Sequence, residues 1–399
     1  MRTFADELAE LDRQGLRRAL RTLHGWPSPN VAVGATAAEA EPVVNFSSND
    51  YLGLAGHPFA ATALAEAAGQ CGAGSAASRL VCGTWAPHVA LEQLLARLKG
   101  TGAALAFSSG YAASVGTVTS IVHEGDVVIL DKLAHASLID GAKLSGATLR
   151  VFRHNDLTQL EDRLRWAATA AKADGRVLVI TESIFSMDGD RAPLREIASL
   201  CRKNGALLLV DEAHAFGVVG PQGLGLAHEL GIAGQIDFHL GTLSKAVGLS
   251  GGYAAASADA VDWLINRARS FIYSTAPPPA LAMAAARIVG EFIAAPPGDA
   301  ARARLWKNVT LFTAALPESL LPASHREGAP SPIVPVVLGD ESRAVQAASA
   351  LRDRGFLVPA IRYPTVARGQ SRLRVTLSAA HRPEQILALA AALKDVCVN

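Results

Sequence analysis

Short apolar runs that stop on polar residues recur along the middle of the chain, and their spacing restricts the fold more than any other feature. Val177-Leu178-Val179-Ile180 leads to Glu182-Ser183-Ile184-Phe185-Ser186, and Ala206-Leu207-Leu208-Leu209-Val210 leads to Asp211-Glu212-Ala213-His214. A third run, near Leu240, ends in Gly241-Thr242-Leu243-Ser244-Lys245. Upstream, the runs at 103–107, 127–130 and 149–152 alternate with helical patterns that begin at Gly110, near Ala136 and at Leu157, and residues 194–203 continue the series. Strands that alternate with helices call for right-handed crossovers and a mainly parallel sheet covered by helices on both faces, an α/β fold. In such a sheet ligands sit outside the carboxyl ends of the strands, where these polar residues fall.

At 399 residues the chain exceeds the roughly 250–300 at which one hydrophobic core stops growing, so a large and a smaller domain are expected. The triple proline Pro277-Pro278-Pro279, followed by a helical stretch over 280–294, sets the boundary. Residues 46–280 form the large domain. Residues 281–399 form a small α+β domain, with strands near 333–338, 357–361 and 373–377 and helices over 342–354 and 383–396. Residues 1–45 are an N-terminal helix and linker. Phe4, Leu8, Leu11, Leu16, Leu20 and Leu23 give a helical stripe over 4–23, which Pro27 and Pro29 break before a short strand at 43–46.

Half the residues are hydrophobic, 18% are charged and the formal net charge is +1, so nothing marks a nucleic-acid partner. Acidic residues at Asp6, Glu7, Glu10 and Asp12 exclude the apolar core of a signal peptide, and no charge-free run is long enough for a membrane span. A cytoplasmic location is the expectation. Cys71, Cys82, Cys201 and Cys397 form no CxxC pair, which favours free thiols over a metal site or a disulfide framework.

Lys245 lies between a strand end and Gly248, Gly251 and Gly252, where little side-chain bulk keeps a ligand from the backbone. It is a candidate catalytic amine, against the plainer reading of a solvated surface lysine. With Asn45-Phe46-Ser47-Ser48-Asn49-Asp50-Tyr51-Leu52-Gly53-Leu54 near one end and Arg372-Leu373-Arg374-Val375-Thr376-Leu377-Ser378-Ala379-Ala380-His381 near the other, the constellation resembles the pyridoxal-phosphate enzymes of the aspartate aminotransferase fold. Within them it resembles the α-oxoamine synthase family.

The resemblance implies a role for each candidate. Lys245 would hold pyridoxal phosphate and later take the α-proton of the amino acid. Asp211 would pair with the ring nitrogen, His214 and Ser186 with the phenolic oxygen, and His135 would stack on the ring. The backbone of Gly110 and Tyr111 at a helix start, with the Thr242 hydroxyl, would meet the phosphate. Ser274 and Thr275 would reach the phosphate of a neighbouring subunit, implying a homodimer with shared sites, and the N-terminal helix would pack with the small domain. Arg374, and after it Arg362, are candidates for the substrate carboxylate, since a guanidinium binds it with two prongs. Arg21 matches a substrate-contacting arginine, with Arg17 and Arg18 close enough to compete, and Thr365 matches an acyl-substrate threonine. Asn49 joins the site, although Asn49-Asp50 also reads as a simple turn.

The branch most similar condenses L-alanine with a pimeloyl thioester in biotin synthesis. Tyr363 and Ala367 stand where that branch usually carries proline, so the glycine and acetyl branch and the serine and palmitoyl branch stay open.

Three motifs invite other functions. Asp211-Glu212-Ala213-His214 spells a helicase-type DEAH box, but no GxxxxGK[ST] loop precedes it. Gly248-Leu249-Ser250-Gly251-Gly252 fits the elbow of an α/β-hydrolase with Ser250 as nucleophile, and Asp259 or Asp262 and His325 or His381 follow in order; that elbow needs a strand before the serine and a helix after it. Gly72, Gly74 and Ala77 fit a loose dinucleotide fingerprint, but a helical pattern precedes them where a strand is required.

Overall fold

Seven strands form the central sheet of the computed structural model, which describes residues 2–172 and 174–397. From one edge the order is Ala103–Phe107, Gly252–Ala256, Phe238–Thr242, Leu207–Asp211, Val177–Glu182, Val127–Asp131 and Thr148–Phe152. Gly252–Ala256 runs antiparallel to both neighbours, and the other pairs are parallel. Every residue of Val127–Asp131 and of Phe238–Thr242 is buried, as expected of strands covered on both faces. Val128, Leu130, Leu178, Ile180, Leu209 and Leu240 share one apolar core with Val118 and Ile121 of helix Gly110–Ile121 and with Leu138 of helix Ala136–Leu144.

The chain divides into two compact units. The larger comprises Asp50–Ser186 and Asp190–Arg304; the smaller comprises Met1–Asn49, Met187–Gly189 and Leu305–Asn399. The division therefore falls within helix Pro296–Ala315 and not after residue 280. The reason lies in the helix that follows the triple proline, Pro279–Arg287: its Ala280 and Ala284 pack against Ala63 and Ala67 of helix Pro58–Cys71, which commits it to the larger unit.

In the smaller unit, Leu23–His24, Asn30–Val33, Glu41–Asn45 and Phe356–Leu357 make one sheet, and Ile333–Gly339, Ser371–Thr376 and Ala360–Ile361 another. The single strand expected over 357–361 is split at Pro359, which has no N–H to extend a ladder. Beyond the split, the Arg374 N–H donates to the Pro359 carbonyl at 3.1 Å. The N-terminal helix is shorter than its apolar stripe. It starts on a Thr3/Asp6 capping box, ends at Arg13 with Gly15 in the left-handed region (φ 63°), and has no buried residue. Among the described residues no single helix is long and apolar enough to cross a membrane.

One charged pair is fully buried in the larger unit. Lys99 Nζ lies 2.7 Å from Glu212 Oε2 and 2.6 Å from the Leu224 carbonyl, over the ring of Phe216. Glu212 Oε1 accepts from the Ala227 N–H at 3.1 Å. Lys99 and His239 hold the Glu212 carboxyl well below the usual range, against the opposing effect of burial. Removing one partner strands the other charge in the interior. Lys99→Met or Glu212→Gln should each cost about 3–5 kcal/mol, read as a lower urea midpoint, and replacing both together by apolar residues should recover much of the loss.

Candidate active site

Three strand ends in the larger unit carry the proposed chemistry, and the backbone beyond each turns its polar residues in a defined direction. Past Leu207–Asp211, the Ala213 N–H donates to Asp211 Oδ1 at 2.8 Å, a tight local turn. Asp211 is half-buried, Glu212 points into the interior pair with Lys99, and His214 is buried beyond them. Past Phe238–Thr242, Leu243 N–H donates to the Gly251 carbonyl and Leu249 N–H to the Leu243 carbonyl, so residues 243–251 form a closed loop. Gly248 (φ 76°) and Gly251 (φ 128°) supply the left-handed conformations this loop requires.

The loop brings Lys245 Nζ to 2.7 Å from His214 Nε2, while His214 Nδ1 lies 2.5 Å from the Tyr51 hydroxyl. When the ammonium donates to Nε2, Nδ1 carries the ring proton and donates to the phenolic oxygen. Tyr51 is fully buried and is the partner that sequence reading missed as a site residue, although it lies inside the motif that carried the family resemblance.

His135 caps helix Ala136–Leu144, its Nδ1 facing Ser137 Oγ at 2.8 Å and the Ser137 N–H at 3.3 Å. Desolvation by neighbouring atoms lowers its pKa and the charge of Lys245 adds to this, whereas Asp211 and Asp140 oppose it; Asp211 and Lys245 are thus within electrostatic reach of His135. Glu182, paired in register with Asp211, is buried, and desolvation followed by the charge of Asp211 raises its pKa well above the usual range. Ser186 is also buried.

At the start of helix Gly110–Ile121, Ser109 Oγ accepts from the Ala112 N–H at 3.0 Å, and the N–H groups of Gly110 and Tyr111 belong to the first turn, which no carbonyl of the helix can reach. A Cβ at Gly110 would stand 3.4 Å from both Cβ and Oγ1 of Thr242, so this helix end and that hydroxyl share one place. Thr242 Oγ1 donates to the Gly251 carbonyl at 2.8 Å and accepts from the Ser244 N–H at 3.2 Å, with Ser244 Oγ 2.7 Å away. Ser244 is a further neighbour that sequence reading did not single out. The Tyr111 ring points elsewhere, its hydroxyl donating to Asp140 Oδ2 at 2.8 Å. Thr275 is exposed and bridges to Ser78, while Ser274 Oγ donates to the Thr275 carbonyl at 3.3 Å.

In the smaller unit, Arg374 is buried on the middle strand of its sheet, donating to Asn49 Oδ1 and to Thr376 Oγ1, each at 3.0 Å. Two residues earlier on the same strand, Arg372 is committed to Asp188 at 2.6 Å, its guanidinium buried and the carboxylate partly exposed. Arg362 donates to the backbone carbonyls of Gly15 and Arg17, which fastens the segment after the N-terminal helix. Of the competing N-terminal arginines, Arg18 reaches Thr365 Oγ1, at 3.2 Å, and Arg21 is exposed. Asp50, next to Asn49, does make the turn: its carboxylate accepts from the Leu54 and Ala55 N–H groups, and burial pushes its pKa up to about 6.

The hydrolase elbow is absent. No strand enters Ser250 and a strand, not a helix, follows it. His381 is a structural residue, stacked on Phe46 and hydrogen-bonded to the Asn45 carbonyl at 3.0 Å. Gly72 (φ 74°) ends helix Pro58–Cys71, so the glycines after it follow a helix and not the strand of a dinucleotide site.

An amine beside an imidazole, a half-buried carboxylate, a second imidazole and a helix start with an adjoining hydroxyl are the groups that pyridoxal phosphate requires, and all belong to one unit. Residues 41–393 match the aminotransferase class I and II family. An 8-amino-7-oxononanoate synthase of Anaeromyxobacter dehalogenans is 49% identical over 98% of this chain and 95% of its own. Among solved structures, a Sphingomonas wittichii serine palmitoyltransferase superposes with a TM-score of 0.86 at 31% identity, covering 99% of this chain and 97% of that one. An 8-amino-7-oxononanoate synthase from Francisella tularensis does so with a TM-score of 0.74 at 30% identity, covering 89% and 98%. The chain belongs to the aminotransferase class I and II family and, within it, to the α-oxoamine synthases, acyl-transferring enzymes that use pyridoxal phosphate.

Proposed function

We propose that the chain condenses L-alanine with a pimeloyl thioester, releasing the thiol carrier and carbon dioxide and giving 8-amino-7-oxononanoate. The observation that carries this reading is the 49% identity, over nearly the whole chain, to a relative named for that product. Bound pyridoxal phosphate supplies an electron sink for negative charge at the amino acid's α-carbon, at proton removal and again at decarboxylation.

The protein's own groups prepare and use that sink. Lys245 Nζ would hold the cofactor through its aldehyde and would be the base that takes the α-proton of the amino acid. Asp211 would keep the ring nitrogen protonated; each pKa unit of that preference corresponds to about 1.36 kcal/mol. His214 and Ser186 would face the cofactor's phenolic oxygen, Tyr51 fixes the tautomer and angle of His214, and His135 would cover one ring face. The first-turn N–H groups of Gly110 and Tyr111, with Thr242, would meet the phosphate, favoured by the positive end of the helix.

Arg374 binds the alanine carboxylate. It is chosen over Arg362 because its guanidinium is buried and oriented by Asn49 and Thr376, whereas Arg362 is engaged by the N-terminal segment. Thr365 and Arg18 serve the acyl substrate. Ser274 and Thr275 complete the phosphate site of a second copy in a cytoplasmic homodimer.

With amino acids and thioesters supplied as a matrix, alanine with pimeloyl-CoA should give the highest catalytic efficiency. A preference for glycine with acetyl-CoA, or for serine with palmitoyl-CoA, would assign the chain to another branch of the family. Arg374→Ala removes a charge-assisted interaction of about 1.5–3 kcal/mol, so alanine KM should rise by roughly 10- to 100-fold with a smaller change for the thioester. An unchanged alanine KM would reject that assignment. Mixing Lys245→Ala chains with Ser274→Ala/Thr275→Ala chains should restore activity in hybrid dimers, and inactive hybrids shown to form would exclude a shared site.

A further inference from the structure

His154 stands outside the groups that face the proposed site, yet it joins the two turns that carry His135 and Ser186. Its Nδ1 lies 3.0 Å from Oδ1 of Asp131, the fully buried last residue of strand Val127–Asp131, and its Nε2 lies 2.7 Å from Asp190 Oδ2. A carboxylate only accepts, so with one on each side both ring nitrogens must donate and the ring is an imidazolium. Burial opposes that charge, but the hydrogen bonds and charges of Asp131 and Asp190 outweigh it and push the pKa up to about 10. These two are the charged groups that face the ring; Phe185 meets it edge-on and Asn155 is neutral.

Each carboxylate in turn holds a site-bearing turn. Asp131 Oδ1 accepts from the Leu133 N–H at 2.8 Å, and the Ala134 N–H donates to the Asp131 carbonyl at 3.1 Å, which sets the turn ending at His135. Asp190 closes the turn that contains Ser186: its carbonyl accepts from the Phe185 N–H at 3.0 Å, and Ile184 bridges Arg191. Asn155 braces the arrangement from a left-handed conformation (φ 54°), its N–H donating to Asp131 Oδ2 and its side-chain amide to Asp190 Oδ2.

We propose that His154 is a positioning residue, an ionic clamp between Asp131 and Asp190 that fixes the His135 turn relative to the Ser186 turn and so sets the tightness and orientation of cofactor binding. The inference rests on the reading of His135 and Ser186 as cofactor contacts. Because His135, which also borders the substrate, and Ser186 are both read as cofactor contacts, loss of the clamp should act on cofactor affinity before substrate KM.

The test uses the full-length protein and pyridoxal phosphate, with His154→Gln, whose one amide nitrogen cannot stand on both sides, and Asp190→Asn, which keeps the ring but removes one carboxylate. Spectral titration should give a cofactor Kd at least about 10-fold weaker in His154→Gln, the scale on which supporting groups act, with a smaller shift in Asp190→Asn and a diminished visible circular dichroism band in both. Alanine KM should stay within about two-fold, since one recognition contact more or less would change it by more.

A raised folded-state pKa means that the clamp's stabilisation is complete below the ordinary value near 6.5 and is lost as pH rises through about 10. The Tm advantage of the unaltered protein over His154→Gln should therefore narrow between pH 7 and 10. His135→Ala and Ser186→Ala run in parallel as controls. If they leave cofactor Kd unchanged, the underlying contact reading fails. If they weaken it while the clamp variants lose Tm but keep the Kd and dichroism of the unaltered protein, the clamp proposal is overturned; should His154→Gln not fold, Asp190→Asn alone decides.

Discussion

The buried pair of Lys99 and Glu212 is the constraint on which the site depends, because it decides which way the segment after strand Leu207–Asp211 faces. Glu212 cannot leave the interior without stranding Lys99, so Asp211 before it and His214 after it stay on the opposite course. Lys99 also donates to the Leu224 carbonyl, and Glu212 accepts from the Ala227 N–H, which fastens the following loop. The Lys99–Glu212 pair thus holds the segment that carries Asp211 and His214, the carboxylate and imidazole proposed to act with Lys245. The arrangement has a cost in desolvation that two apolar residues would avoid, and its return is orientation.

The chain passes between its two compact units at Asn49/Asp50, on either side of Met187–Gly189 and at Arg304/Leu305. Two of these passages adjoin proposed functional residues: at the first, Asn49 orients Arg374 and Tyr51, just inside the larger unit, meets His214, and at the second Ser186 precedes the 187–189 turn. Division of labour follows the same lines. The groups proposed for the cofactor belong to the larger unit, and those proposed for the substrate carboxylate and acyl chain belong to the smaller.

What was legible in the sequence is what local periodicity encodes. Buried parallel strands read as continuous apolar runs, and helix Leu194–Lys203 has a strongly one-sided apolar face, so their positions follow from the chain itself. Strand Asn30–Val33 is hidden because it is short and enters from a proline-rich stretch, and helix Pro296–Ala315 because it opens on two prolines that read as a break. Lys99 looks like any basic residue in the last turn of a helix; only a partner 113 positions away makes it interior. Tyr51 with His214 and His154 with Asp190 are likewise products of tertiary approach, which no spacing in one sequence records. That Arg18 reaches Thr365 Oγ1 was not legible either: Gly15 ends the N-terminal helix early, so helical spacing does not decide which of Arg17, Arg18 and Arg21 approaches it.

Lys245, beside His214, is the proposed amine that holds pyridoxal phosphate. Borohydride reduction of the cofactor-loaded protein fixes that linkage, and peptide mass mapping locates it. The account predicts one pyridoxyl-phosphate adduct per chain, on Lys245. An adduct on another lysine, or none in protein that retains the cofactor, would contradict it.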